Sequence, residues 1–218
     1  MNINIHCIFR QVDNAEDQAL IERLHSEAKQ SWPRLDGVNF TEIQENRNEG
    51  FLKQRMDALV FNNADYVGSV DDDDILDPLA SEKFFNFIKE HKPKLIQSGR
   101  SIIDITGKIE IPFRETIQKY SLSTVLNRHA FMHHLIIARK DVAVQAAYAA
   151  QKVVKTYPKE HHGIFDLAYN IELLRVSNCE YFSEIVYKWR KYSKKQGHVS
   201  LHAPINQLFN FYQKAYLN

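Results

Sequence analysis

The sequence predicts an α/β domain built on a mixed central sheet flanked by helices. Short apolar runs of strand length alternate with segments of helical periodicity from the start of the chain, which is the order of a layered α/β structure. The chain has 218 residues, 44% apolar and 25% charged, enough to bury one core without disulfide support. Its two cysteines, Cys7 and Cys179, lack metal-finger spacing and are too few for a disulfide scaffold, so a reducing, cytoplasmic setting is expected. Lys plus Arg (28) nearly balance Asp plus Glu (27), which argues against a general nucleic-acid or membrane-surface binder. No stretch approaches the roughly eighteen apolar residues of a membrane span, and the start, MNINIHCIF, does not read as a secretory leader.

Asn2 to Arg10 is the first strand, with Ile3, Ile5, Cys7 and Phe9 on one face and Ile8 on the other. Asn14 caps a helix that has Asp17 at its third position and Leu20, Ile21, Leu24 and Ala28 at helical spacing, up to Trp32-Pro33. After Gly37, Val38 to Ile43 is the second strand. A second helix from Glu49 carries Leu52, Met56, Leu59 and Val60, and Tyr66 to Val70 reads as a short buried strand. Asp77 caps a helix with Pro78 in its first position and Leu79, Phe84, Phe87 and Ile88 turned inward, stopping before Pro93.

Lys94 to Ser98 is a further strand, and Ile102 to Ile105 with Lys108 to Ile111 form a hairpin about Thr106-Gly107, which makes the sheet mixed. Phe131 to Ala138 is the next strand and Asp141 the cap of the following helix, Ala143 to Val154, which Pro158 separates from a helix over Phe165 to Arg175. Ile185 to Trp189 is the last strand. A basic stretch, Lys188 to Gly197, leads to a terminal helix carrying Leu208, Phe211, Tyr212 and Ala215, so residues 1–200 are expected as the main domain and 201–218 as a helix packed on or extending it.

The most informative feature is Asp71-Asp72-Asp73-Asp74, directly after the Tyr66 to Val70 strand. Along an extended segment Asp71 and Asp73 face the same way, so their oxygens can converge on a hard divalent cation, Mg or Mn, with Asp72 and Asp74 turned to support. A metal there can hold a diphosphate and stabilise it as a leaving group. The bland alternative is a solvated acidic turn before the Pro78 helix.

Tyr66 through Pro78, YVGSVDDDDILDP, resembles the metal-binding strand end of family 2 glycosyltransferases with a GT-A fold. Upstream, Asn48-Glu49-Gly50 and Lys53-Gln54-Arg55-Met56 resemble that family's Asn-x-Gly and the helix carrying Ala-Arg-Asn. Downstream, Phe165-Asp166-Leu167 and Ile185 to Arg190 resemble its acceptor-side helix and its aromatic-Arg strand. The resemblance implies a GT-A-like nucleotide-diphospho-sugar transferase that passes a sugar, with inversion, to a glycan or other hydroxyl acceptor, with a UDP-sugar as the expected donor. It carries Asp71 and Asp73 over as the metal-diphosphate pair, Asp74 as their support and further ligand, and Arg55 and Arg190 as donor ligands. Phe9, Arg10 and Gln11 stand where the family has a Pro-Thr-Tyr-like segment beside the donor base without reproducing it, and Glu42 or Glu45 substitutes for an acid the family has after its second strand.

The general base is the point of departure. On this alignment Gly163 and Ile164 fall where the family's acidic pair stands, which leaves Asp166, Glu160 and His162 as base candidates, each with helix capping or a solvated surface as its ordinary alternative. His198 is a candidate fourth metal ligand, while His133-His134 and His161-His162 lack zinc spacing. Arg100, Arg114, Arg128 and Arg139 are more ordinary as solvated or paired surface groups, and Trp189 is a better candidate for sugar stacking than Trp32. Two other readings stand beside this one. Asp73-Asp74-Ile75-Leu76-Asp77 matches a DDxxD motif of isoprenoid-diphosphate enzymes if it lies on a helix, and the missing acids at Gly163-Ile164 suit a noncatalytic carbohydrate or nucleotide binder.

Overall fold

In the computed structural model, which describes residues 1–10, 14–45, 51–113, 121–128, 135–191 and 202–217, strand and helix alternate from the first residues. The opening half is β1 (Ile3–Phe9), α1 (Ala15–Ser31), β2 (Val38–Gln44), α2 (Phe51–Val60) and β3 (Tyr66–Val70). β1 lies between β2 and β3 and parallel to both, with Ile3 opposite Val38 and Tyr66, and Cys7 opposite Glu42 and Val70. Ile3, Ile5 and Cys7 share one core with Val38, Tyr66 and Val70, as the alternation predicts. Ile8 is buried as well, as befits a strand covered on both faces.

The remainder is β4 (Ile75–Leu76), α3 (Pro78–His91), β5 (Leu95–Ile103), β6 (Ile109–Phe113), α4 (Leu122–Arg128), β7 (Ile136–Arg139), α5 (Lys140–Val154), a 3-10 turn (Lys159–Ile164), α6 (Phe165–Val176), β8 (Glu180–Arg190) and α7 (His202–Tyr216). Among the described residues these strands form one mixed sheet in the order β2-β1-β3-β7-β5-β8-β4, with β6 paired to β5. β7 runs antiparallel to both β3 and β5, β8 runs parallel to β5, and β4 antiparallel to β8. One core cluster joins residues of α2, α4, α5, α6 and α7 to Val67, Leu95 and Ala138 of the sheet. The other joins α3 to β1, β2, β4 and β8.

The predicted caps at Asn14 and Asp77 form. Asn14 Oδ1 accepts from the N–H groups of Glu16 (2.8 Å) and Asp17 (3.4 Å), and Asp77 Oδ1 accepts from Ala80 N (3.1 Å) with Pro78 opening α3. Lys92, at φ 50°, ends α3 in the left-handed region one residue before Pro93. Other expectations are corrected. The Lys94 to Ser98 strand continues to Ile103, so the first arm of the hairpin is the end of β5; Asp104 Oδ1 ties the turn by accepting from Thr106 N (2.8 Å) and Lys108 N (2.9 Å). Asp141 is not a cap: α5 starts at Lys140, and Asp141 lies in its first turn, paired with Arg139 at 2.6 Å. Of the Phe131 to Ala138 strand, residues 131–134 lie outside the described residues. β8 starts at Glu180, ahead of the predicted Ile185, because the pairing with β5 is irregular at Gly99 and hides the strand's period. In α7 Pro204, Leu208, Phe209 and Tyr212 are buried, while Phe211 is 48% exposed.

Gly68 is required where β3 passes β7. A Cβ there would stand 2.4 Å from Ile137 Cδ1 and 2.8 Å from the Ile136 carbonyl oxygen. The carbonyl is backbone and cannot rotate away, so Gly68→Ala is expected to cost about 1–3 kcal/mol. A lowered urea midpoint at constant m-value is the measurement that checks this; an unchanged midpoint would contradict the packing.

Candidate active site

β3 ends at Val70, and the acidic run leaves the sheet at the carboxyl end of the strand. There it turns, with Asp74 N 3.5 Å from Asp71 O, before β4 pairs Ile75 and Leu76 with Lys188 and Tyr187 of β8. The turn breaks the period-two alternation that the sequence suggested. Asp71, Asp73 and Asp74 together place one carboxylate oxygen each within 4.8 Å of one another, while Asp72 turns toward Arg10. Asp71 is 51% exposed, whereas Asp72, Asp73 and Asp74 are buried.

Three buried carboxylates in one turn demand partners. Arg10, at the end of β1, donates from its backbone N to Asp72 Oδ2 (2.8 Å) and from Nε to Asp72 Oδ1 (2.8 Å), and its Nη2 pairs with Asp72 Oδ1 (2.6 Å) and Asp73 Oδ2 (2.8 Å). β8 holds the other side. The Tyr187 hydroxyl donates to Asp74 Oδ2 (2.5 Å) and accepts from Asp71 N (3.4 Å), and Arg190 N donates to Asp74 Oδ1 (2.6 Å). Burial raises the Asp72 carboxyl, with Arg10 opposing it. Asp74 is pushed well above the usual carboxylate range by burial and by the neighbouring Asp71 and Asp73 charges.

Arg190 is turned into the protein. It is fully buried and donates from Nε to Asp73 O (2.8 Å), from Nη1 to Ile105 O (2.8 Å) and from Nη2 to Glu27 Oε2 (2.9 Å). With these donors engaged by the protein, Arg190 is a strut that fixes the acidic turn.

Beside the turn opens a cleft of about 710 Å3, its mouth included, whose wall includes Arg55, Ser69, Asp71, Asp166, Tyr169 and Trp189. Arg55 is buried, with Nη2 3.9 Å from Asp71 Oδ1 and 3.4 Å from Asp166 Oδ2. Asp166, in the first turn of α6, is 49% exposed. Its carboxyl is raised by its position in the cleft wall and by the Asp71 charge, and lowered by Arg55.

Glu160, His162, Phe9, Glu42 and Glu45 are not part of this cleft wall. Glu160 is exposed on the 3-10 turn, and His162 Nε2 is 3.3 Å from the Tyr157 carbonyl oxygen. Phe9 packs on His25 with ring centroids 4.5 Å apart, and Glu45 N donates to Phe9 O (2.9 Å), which ties the ends of β1 and β2. Glu42 pairs with His25 (2.9 Å) and Lys29 (2.7 Å), and its hydrogen bond to Lys29 helps hold its carboxyl below the ordinary value. Trp32 stacks on Phe40, whereas Trp189 lines the cleft with the Arg100 guanidinium 5.7 Å from its ring centroid. His198, His133, His134 and Arg114 lie outside the described residues. Tyr169, Asn170 and Tyr187 also line the cleft. The first two were accessible from spacing, since positions three and four after Asp166 share its helix face.

No protein-family model matches the chain, and no curated protein matches it significantly. Solved structures do. S. aureus TarS 1–349 in complex with UDP-GlcNAc matches with a TM-score of 0.64 at 15% identity, over 97% of this chain and 66% of that one. The complex of TarS 1–349 with UDP matches at 0.60 and 14%, over 97% of this chain and 65% of that one. TarS 1–349 itself matches at 0.57 and 16%, over 99% of this chain and 72% of that one. This chain therefore spans about two thirds of those structures. The mixed sheet flanked by helices is GT-A-like, the nucleotide-sugar transferase architecture, as the Tyr66 to Pro78 segment led us to expect.

Proposed function

We propose that this protein is a metal-dependent glycosyltransferase that moves a sugar from a nucleotide-diphosphate donor, a UDP-sugar by preference, to a hydroxyl acceptor with inversion. The observation that carries this reading is the convergence of Asp71, Asp73 and Asp74 at the end of β3, on the rim of a cleft whose wall also holds Asp166. The donor set suits Mg or Mn: all three are hard oxygen ligands, and among the five carboxylates of Asp71–Asp74 and Asp166 the guanidinium of Arg10 pairs with Asp72 and Asp73 and that of Arg55 with Asp71 and Asp166, while the Arg190 guanidinium is paired with Glu27, so the trio has room for a divalent cation. When bound there, the metal supplies charge neutralisation for the donor diphosphate and for the nucleotide as it leaves.

The chain's own residues do the rest. Tyr187 and Arg190 fix the acidic turn, so its oxygens are in place before any ligand arrives. Asp166 is assigned as the base that takes the acceptor proton, because it alone of the three candidates lines the cleft, and its raised carboxyl makes it the stronger proton acceptor when ionised. Arg55, between Asp71 and Asp166, favours the ionised form of the latter against the burial and the Asp71 charge that raise its carboxyl. The UDP preference rests on the two UDP-containing TarS complexes.

Two alternatives separate from this one. The DDxxD reading loses its basis, since Asp73 and Asp74 lie in a turn at a strand end and Asp77 caps α3, so the motif is not on a helix. Noncatalytic binding has one observation in its favour: Ile164, where the family's acidic pair is expected, is buried in the core. Calorimetry of UDP-, GDP- and CMP-sugars with Mn, with Mg and with EDTA tests the proposal. Selective, metal-dependent binding of a UDP-sugar is expected, together with slow hydrolysis of the donor. Binding without turnover favours the noncatalytic alternative, and no metal-sensitive binding removes the donor site.

A further inference from the structure

We propose that Arg10 is a built-in counter-cation of the acidic turn, competing with the divalent ion for Asp73 and thereby setting the cation affinity of the site. This rests on the reading of Asp71, Asp73 and Asp74 as a cation site given above. Arg10 is the chain's own feature, since Phe9-Arg10-Gln11 does not reproduce the segment that the resembled family has at the end of its first strand.

The geometry is specific. A single terminal nitrogen, Nη2, lies 2.6 Å from Asp72 Oδ1 and 2.8 Å from Asp73 Oδ2, while Nε is 2.8 Å from the same Asp72 oxygen that Nη2 contacts. The Asp72 and Asp73 side chains are 2% and 1% exposed, whereas that of Arg10 retains 30%. A guanidinium does not lose its proton under any working condition, so this charge is permanent. Here burial works against it, and Asp73 and Asp72 outweigh that effect.

Asp73 thus serves two cations. It belongs to the trio whose oxygens lie within 4.8 Å of one another, and one of its oxygens is already held by Arg10. An ion seated on the trio stands close to a fixed positive charge and meets a carboxylate already partly neutralised. Repulsion at that range in a partly buried site is strong, so the guanidinium weakens cation binding while offsetting the mutual repulsion of Asp72 and Asp73.

Mn2+ titration by calorimetry, with EDTA-stripped protein and no nucleotide, tests this directly. Arg10→Met and Arg10→Gln are expected to bind Mn2+ about tenfold or more tightly than the unsubstituted chain, because the competing charge is gone. Arg10→Lys keeps the charge and is expected to stay within about threefold. Thermal melts in EDTA establish folding; the glutamine variant retains a donor for Asp72 and carries the test if the methionine variant fails to fold. Unchanged or weaker Mn2+ binding by the neutral variants overturns the role assigned to Arg10 and leaves the cation site standing. Absence of Mn2+ binding by the unsubstituted and neutral variants alike overturns the cation site itself, and the competition with it.

Discussion

Asp71→Asn is expected to lower metal-dependent donor affinity by about a hundredfold or more, beyond the loss seen when groups that merely orient metal ligands are removed. The fold is expected to survive intact. The Asp71 side chain is 51% exposed, and its contact with Arg55 is long, at 3.9 Å, so no buried group is orphaned by its neutralisation. Removing its charge also relieves two neighbours, because it contributes to the raised carboxyls of Asp74 and Asp166. Thermal unfolding in EDTA should therefore match or slightly exceed that of the unsubstituted chain, while calorimetry with Mn and a UDP-sugar shows the loss. Donor affinity that survives in a folded Asp71→Asn variant would detach the acidic turn from donor binding.

Arg190→Met is expected to have the reverse signature. Here a fully buried guanidinium that reaches Glu27, Ile105 and the Asp73 carbonyl is lost, and the acidic turn keeps its charge, so about 3–5 kcal/mol of stability should disappear. Urea unfolding followed by tryptophan fluorescence is suited to this, since Trp189 is adjacent in sequence. An Arg190 that bound phosphate would instead give a stable variant with weakened donor affinity. That outcome would reinstate the reading carried over from the aromatic-Arg resemblance.

The sequence was most informative where the cause is local. Asn14 and Asp77 announce their helices because a cap needs only the next three residues, and the parallel β1-β2-β3 unit is visible in buried strands such as Ile3 to Phe9. The acidic run was legible as a site, yet the directions of its four side chains were not, because alternation holds only while the chain is extended and here it turns after Val70. Arg10 meets Asp72 from 62 positions away and Arg190 meets Asp74 from 116, and no period or spacing encodes such pairings. α4 went unseen because Leu122 to Arg128 is short and lies beyond Pro112, where the pattern fades. The Asp166, Tyr169 and Asn170 face was within reach of a helical reading that stopped at the candidate base.

The clamp that β8 places on the acidic turn has a consequence for biosynthesis. Until Tyr187 and Arg190 have left the ribosome, Asp74 lacks both of the donors that hold its carboxylate in the finished protein. A nascent chain that stops short of these two residues carries four adjacent negative charges with nothing from the last strand to gather them. The acidic turn is therefore assembled only after more than a hundred further residues have followed the aspartates out.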